Sequence, residues 1–435
     1  MTTASEATAA EQSRKQSLPL NTEQSAALDA ILEFLADPTE QFFVLSGSAG
    51  TGKTFCIREL VNRVKGRLVF TATTNKATKE LRRSVTTKDY KPECRTIFSL
   101  LGLRLEASGE VKELSAPEDP IDLSAYRAVI VDEGSMVNEN LRKFIKQAAN
   151  EHGVKFIFMG DEAQLPPVGE LRSPIWKITR GAKLLKVERH DNQILALATR
   201  IRAVVDHPAP TIRLSADNDG EQGVWSGTRR DLETAIRREA ELGGFSRPNC
   251  AKAVAWRNVT VDGFNKLIRD TIFDKPAEFW LPTDRVIFTS PAKDLDDETV
   301  ATTDDEGTVD RVDTEYHPIH GDIKIFRITL TLDDGPVVVA RVLHPESQLR
   351  YASQCEDLAA AARSNSRLWR KFWDYKDAFH ALRHAYALTA HRAQGSTYDT
   401  TFVDYRDVLL NRNRQEAFRC LYVACTRPKR ALVLG

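Results

Sequence analysis

FFVLSGSAGTGKTFCIRELVNR, residues 42–63, carries three signals in one stretch. Phe42 to Ser46 is a short apolar run of strand length, and a helical pattern runs from Lys53 to about Lys65. Between them GSAGTGKT (47–54) fits the phosphate-loop pattern G-x-x-x-x-G-K-[ST]. Its glycines let backbone N–H groups converge on phosphates, so Gly47, Ser48, Ala49, Gly50, Thr51 and Gly52 are candidate nucleotide-binding residues. Lys53 is spaced to reach the β/γ oxygens, and the Thr54 hydroxyl to hold Mg²⁺ at a helix N-terminus that favours anions. A glycine-rich structural turn is the bland alternative, and the strand before and helix after argue against it.

The same unit recurs outward from this stretch. LVFTAT (68–73) precedes a helix from about Lys76, AVIVDE (128–133) precedes one from about Asn138, and VKFIFMGD (154–161) follows. Short apolar strands alternating with amphipathic helices predict an α/β fold with a parallel sheet covered on both faces. AKAVAWRN (251–258), ALTAHRAQG (387–395), TTFVDY (400–405) and RALVLG (430–435) predict a second such sheet. Upstream, NTEQSAALDAILEFLAD from Asn21 predicts a capped helix closed by Pro38.

Two regions alternate with period two instead. LRLEASGEVKEL (103–114) reads as a β-hairpin turning at Ser108-Gly109. Residues 285–345 contain VDRV, IKIFRITLTL and PVVVARVL separated by DDEG and DDG turns, which predicts a small inserted β-barrel.

The second predicted strand that matters for chemistry ends in Asp132 and Glu133. Asp132 suits Mg²⁺, and Glu133 suits polarising an attacking water. After the next strand comes GDEAQLPPV (160–168), in which Gln164 can report a γ-phosphate. Read without the other motifs, that segment is a Pro-rich surface turn.

Composition narrows the class. Sixty-one Lys and Arg against sixty-one Asp and Glu give zero formal charge, which excludes a polybasic protein binding by bulk charge but allows a local basic channel. With 42% hydrophobic and 28% charged residues, disorder over most of the 435 residues is excluded. Residues 1–17 have no large aliphatic side chain after Met1 and predict a disordered tail. No apolar run reaches the roughly 18 residues of a membrane span, and the N-terminus lacks a secretory apolar centre, so an intracellular protein without membrane contact is expected. Cys56, Cys94, Cys250, Cys355, Cys420 and Cys425 form no CxxC pair and read as reduced thiols.

Taken in order, GSAGTGKT, VIVDEGSM (129–136), GDEAQLPPV, TAHRAQGST (389–397) and LYVACTR (421–427) resemble the superfamily 1 helicases, particularly the Dda- and RecD-like branch, over residues 18–435. The resemblance implies two RecA-like motor domains closing on ATP and Mg²⁺. It implies boundaries of 18–190 for the first domain with the 103–114 hairpin inserted, and 191–284 with 380–435 for the second. Residues 285–379 correspond to an SH3-like barrel with a helical strut. Gln24 then corresponds to an adenine contact, Gly395 to a nucleotide-side residue, and Arg189 and Arg427 to arginine fingers that complete the catalytic set of Lys53, Glu133 and Gln164. An arginine that reaches ATP only on closure links charge stabilisation to domain movement.

DNA contacts carry over at Thr74 and Asn75 in TATTNKATKEL (71–81), at Phe98, and at His391 and Thr397. Thr73 stands where relatives commonly carry Pro, Asn75 where the closest carry His, and Phe98 where the family usually has His. Phe98 suits stacking on a base or packing in the core. The hairpin corresponds to a duplex-splitting pin whose tip, Ala107 to Glu110, has no aromatic wedge. RLWRKFWDYKDAFHALRHAY (367–386) suits single-strand binding or a buried helical seam.

The implied activity is ATP-dependent 5′-to-3′ translocation on single-stranded DNA with unwinding at duplex junctions. Its partners by resemblance are a single-stranded DNA-binding protein or replication and recombination proteins. A monomer in a bacterial or phage-infected cytoplasm is expected. The alternatives are a nucleotide-switched DNA-binding ATPase without strand separation, and a helicase of opposite polarity.

Overall fold

A computed structural model describes residues 20–87, 90–108, 111–117, 121–187 and 193–435 of the protein. The expected tail at 1–17 and the hairpin tip at Gly109 and Glu110 lie outside the described residues.

Helix α1 (Thr22–Ala36) starts at a capping box in which Asn21 and Gln24 satisfy each other's backbone N–H, and it buries Ala27, Leu28, Ile31, Phe34 and Leu35. Strand β1 (Phe42–Gly47) follows, then α2 (Lys53–Arg63), β2 (Arg67–Ala72), α3 (Asn75–Val85) and β3 (Glu93–Thr96). Next come the hairpin strands β4 (Arg104–Ser108) and β5 (Val111–Ser115), then β6 (Tyr126–Asp132), α4 (Glu139–His152), β7 (Lys155–Gly160) and β8 (Gly181–Leu184). Apart from the hairpin, these strands form one parallel sheet in the order β3-β2-β6-β7-β1-β8.

Period-two alternation divides each strand between two cores. Ala128 and Ile130 of β6 pack on the same side as Phe43, Leu45, Ile157 and Met159. Val129 and Val131 face the other side with Val44, Phe156 and Phe158. Because helices cover both faces, the strands read as continuous apolar runs.

Helix α5 (Gln193–Val204), β9 (Asp217–Asn218), β10 (Gly223–Ser226), α6 (Arg229–Glu241), β11 (Ala251–Ala255) and α7 (Asn258–Ile272) open the second half. An insertion then supplies β12 (Arg285–Phe288), the short pair β13 (Ala292–Lys293) and β14 (Thr299–Ala301), and β15 (Glu306–Tyr316), β16 (Lys324–Leu332) and β17 (Val337–Leu343). Two helices, α8 (Gln348–Ser364) and α9 (Trp369–Asp377), and strand β18 (Leu382–His384) complete it. The chain finishes with β19 (Ala387–Thr389), α10 (Ala390–Ala393), β20 (Tyr398–Val403), α11 (Arg414–Cys425) and β21 (Pro428–Leu434).

The second sheet has the order β19-β11-β20-β21-β10-β9 and is parallel except for β9. The insertion forms a five-stranded antiparallel sheet, β17-β16-β15-β12-β18, with a separate core around Trp280, Phe288, Ile328 and Leu330. Its last strand therefore lies beyond residue 379. Trp369 and Phe372 of α9 are buried against Ala359 and Ala362 of α8. Helix α9 lies against β4, so the helical pair meets the hairpin. Among the described residues no helix is long and apolar enough to cross a membrane.

Candidate nucleotide and nucleic-acid site

The loop between β1 and α2 turns through left-handed backbone at Gly50 (φ 82°) and Gly52 (φ 83°). A Cβ on Gly52 would stand 2.4 Å from Gln24 Nε2, so position 52 requires glycine on two counts. Lys53 Nζ donates to the loop's own carbonyls, Gly47 O at 2.7 Å and Ser48 O at 3.0 Å. Thr51 Oγ1 donates to Ser48 O, which stiffens the same turn. Thr54 is half-buried in the first turn of α2. Gln24 is almost wholly buried and donates from Nε2 to Thr51 O at 3.1 Å, so it braces the loop from α1.

Strand β6 delivers Asp132 and Glu133 beside this loop. Burial, reinforced by the Glu133 charge and opposed by Lys53, pushes the Asp132 carboxyl up to about 6. A cation beside Asp132 would remove that penalty, and the loop's converging backbone and lysine complement phosphate charge. The donor set thus fits a nucleotide with Mg²⁺. Glu133 has left-handed backbone (φ 50°), which turns the chain sharply after the strand.

The second sheet completes the cleft from its far side. Gln394, just after α10, places Nε2 3.2 Å from Gln164 Oε1, 3.4 Å from Glu133 Oε2 and 3.4 Å from Ser135 Oγ. From α11, Arg419 donates to the carbonyls of Glu162 and, at 2.9 Å, Gln164. Tyr422 reaches Asp161 and the Ala49 N–H. Arg427 is buried at the end of this helix; burial lowers its proton affinity and the nearby Glu133 charge restores part of it. Its guanidinium donates to Val423 O, Ser396 O and Thr426 Oγ1 at 2.9–3.0 Å.

Residues 19–219 match a family model described as an AAA domain, and residues 384–434 match the UvrD-like helicase C-terminal domain. The ATP-dependent DNA helicase Dda of Enterobacteria phage T4 is 25% identical over 422 residues, covering 88% of this chain and 92% of that protein. The two family models and the Dda relative show an ATP-dependent helicase of superfamily 1, similar to Dda. An uncharacterised protein of Acanthamoeba polyphaga mimivirus is 23% identical across 95% of this helicase and 99% of its own length. A solved structure of Pif1 helicases at forked double-stranded DNA shares the fold, with a TM-score of 0.51 and 16% identity over 96% of this chain and 92% of that one.

In this helicase Thr74 caps α3, accepting the Ala77 N–H at Oγ1, and Asn75 begins the helix. Gly395 (φ 74°) packs against that same turn, where an added Cβ would meet Ala77 Cβ at 3.3 Å. Thr397 is half-buried just beyond. Phe98 is half-buried against the core on the β6 Val129 side. His391 Nε2 lies 3.6 Å from Glu416 Oε1, and Cys420 joins them within 4.8 Å. Burial holds that thiol protonated, which opposes metal binding there. Arg189 lies outside the described residues.

Sequence reasoning passed over Gln394, Arg419, Tyr422 and Asp161. Each sits inside or beside a quoted motif, but only the folded cleft brings them to their partners. It also missed the basic row Lys76, Lys79 and Arg83 on α3, which pairs with Glu306, Asp305 and Asp334 of the insertion.

Proposed function

We propose that the protein is an ATP- and Mg²⁺-dependent DNA helicase that moves 5′ to 3′ along single-stranded DNA and separates duplex ahead of it. The observation that carries this reading is Gln394, which reaches Glu133 and Gln164 across the cleft and joins the two halves of a hydrolytic set. Residues 47–54 and Asp132 would hold the nucleotide and its metal. Mg²⁺ bound there supplies charge neutralisation for phosphoryl transfer. Glu133 orients and polarises the attacking water, Gln164 reads the terminal phosphate, and Arg427 contributes positive charge from the second domain. Arg189 is proposed as a second finger, and Gln24 as an adenine contact as well as a brace.

Relative movement of the two parallel sheets turns this cycle into steps along the DNA backbone. Thr74, Asn75, Phe98, His391 and Thr397 are proposed to line the DNA track, and the β4–β5 hairpin to act as the pin. The five-stranded sheet is proposed as an SH3-like clamp. Polarity rests on the resemblance to the Dda- and RecD-like branch.

The test is strand displacement with ATP and Mg²⁺ on duplexes bearing either a 5′ or a 3′ single-stranded tail. Unwinding from the 5′ tail alone is the expected result. Unwinding from the 3′ tail alone overturns the polarity, and DNA-stimulated hydrolysis without displacement favours a translocating ATPase. Glu133→Gln should bind nucleotide and DNA but turn over very slowly.

A further inference from the structure

The proposed cycle assigns no task to a buried chain of hydrogen bonds that runs from the second domain to the phosphate loop. Tyr422 comes from α11 of the second domain, and its ring is packed in that domain's core. Its hydroxyl donates to Asp161 Oδ2 at 2.5 Å and accepts from the Ala49 N–H at 3.5 Å. Asp161 follows β7 of the first domain and is fully buried at its side chain. Its Oδ1 also accepts from the Ala163 N–H at 3.1 Å and from Arg202 Nε at 3.2 Å. Arg202 belongs to α5, so four chain segments meet in the line Arg202–Asp161–Tyr422–Ala49.

The chemistry of the line fixes its direction. Burial and then the Asp161 charge push the Tyr422 phenol far above its ordinary range, so it stays protonated throughout the working pH range. Its one proton goes to Asp161, which leaves only its oxygen to receive the Ala49 amide. Ala49 lies within the loop whose amides face the phosphates. Packing alone explains the ring but not the hydroxyl, because phenylalanine fills the same space without burying a polar group. Asp161 keeps Ala163 and Arg202 on its other oxygen, so the phenol is not the carboxylate's sole partner.

The surroundings make the link mechanical. One turn before Tyr422, Arg419 holds the carbonyls of Glu162 and Gln164. Ala163 and Leu165 are buried in the second domain's core although β7 belongs to the first sheet. The segment 161–165 is thus packed into the second domain, and Tyr422 extends that packed unit to the phosphate loop.

We propose that Tyr422 is a positioning residue whose hydroxyl registers the phosphate loop at Ala49 against α11, so that the loop's geometry follows the position of the second domain. This rests on the nucleotide reading given under Proposed function. It assigns to Tyr422 no contact with the reacting atoms.

The test uses the full chain carrying Tyr422→Phe, with Asp161→Asn as a second variant. Expected for Tyr422→Phe are a melting temperature lowered by only a few degrees, the cost of leaving Asp161 Oδ2 without its hydroxyl partner, and binding of a fluorescent ADP within about twofold of the parent, because the ring and the remaining loop amides persist. The kcat of DNA-stimulated hydrolysis should fall about tenfold, the scale of one hydrogen bond in a charged network. The ratio of single-stranded DNA affinities measured with ADP and with a non-hydrolysable ATP analogue should collapse towards one. Asp161→Asn combined with Tyr422→Phe should be no worse in kcat than Asp161→Asn alone, since both cut the same line. A Tyr422→Phe protein with parental kcat and parental affinity ratio overturns the proposal, as do additive losses in the double variant. A parent protein with no DNA-stimulated hydrolysis overturns the helicase reading, and this proposal with it.

Discussion

Gln394 Nε2 stands 3.2 Å from Gln164 Oε1 and 3.4 Å from Glu133 Oε2, so one amide from the second domain touches two members of the first domain's proposed hydrolytic set. Gln394 is itself nearly inaccessible, and truncating it leaves buried polar groups unpaired where charge must be oriented. Gln394→Ala should lower kcat for DNA-stimulated hydrolysis about 10- to 100-fold while changing fluorescent ADP affinity by less than about threefold. Steady-state kinetics beside an equilibrium titration read the two effects separately. Parental kcat in the variant would remove Gln394 from the site.

Asp132 makes a pH-dependent demand on the metal-free protein. Its carboxyl is raised from an ordinary 3.8 to about 6, first by burial and then by the Glu133 charge. A raised folded value means that the folded state binds the proton more tightly than the unfolded chain. The associated stability is present below about pH 3.8 and is lost as pH rises to about 6. Asp132→Asn never carries the charge. In EDTA its melting temperature should match the parent near pH 4 and exceed it by several degrees near pH 7, an effect on the order of a few kcal/mol spread over a large domain. Mg²⁺ with ATP should reverse the order at pH 7. Parallel melting curves across this range would refute the assignment.

Leu165 is 2% exposed although it sits beside two prolines in a connecting segment. It packs with Leu197, Ile201, Leu421 and Val423, across the boundary between the two parallel units. Leu165→Ala should therefore cost about 2–5 kcal/mol, as a core truncation does, instead of the few tenths expected at a surface turn. Urea unfolding of parent and variant measures the difference. A cost within error of zero would show that the segment is not anchored in the second core.

The difference between what was legible and what was not follows from range. β1, β6 and β7 were readable because burial on both faces makes them continuous apolar runs, and the phosphate loop because local backbone demands glycine at residue 52. The second parallel sheet was readable for the same reason in Val254, Phe402 and Leu432. Leu165 was not, since read alone 160–168 describes only a Pro-rich connection and its burial depends on α11, some 250 residues away. Gln394 and Tyr422 lie in legible motifs, yet their partners are set by the docking of one sheet's loops on another's. The α3 row Lys76, Lys79 and Arg83 has helical spacing that by itself describes only a solvated basic face. Its acidic partners come from the start of β15, the residue before it and the turn between β16 and β17 of the inserted sheet.

Those partners give a prediction in which stability and DNA binding separate. Glu306 accepts Lys76 Nζ at 2.7 Å from the first domain and Lys252 Nζ at 2.8 Å from the second, with Arg285 of the insertion 3.6 Å away. Against the cost of burial, these cations hold its carboxyl well below the usual range. Glu306→Gln leaves three largely buried cations facing a neutral amide, and it should destabilise the protein by about 3–5 kcal/mol. Asp305 is also buried, but its cationic partner, Lys79, keeps 34% side-chain accessibility, and an asparagine at 305 still offers an oxygen to the Thr302 N–H and Oγ1. Asp305→Asn should melt close to the parent while freeing Lys79 on the helix proposed to meet DNA. Single-stranded DNA should then bind more tightly at low salt, and the slope of log affinity against log salt should steepen by up to about one. Fluorescence anisotropy over a salt series beside thermal melting reads both variants. A Glu306→Gln protein as stable as the parent would show that the junction is not held by this carboxylate. An unchanged salt slope in Asp305→Asn would show that Lys79 does not face the DNA phosphates.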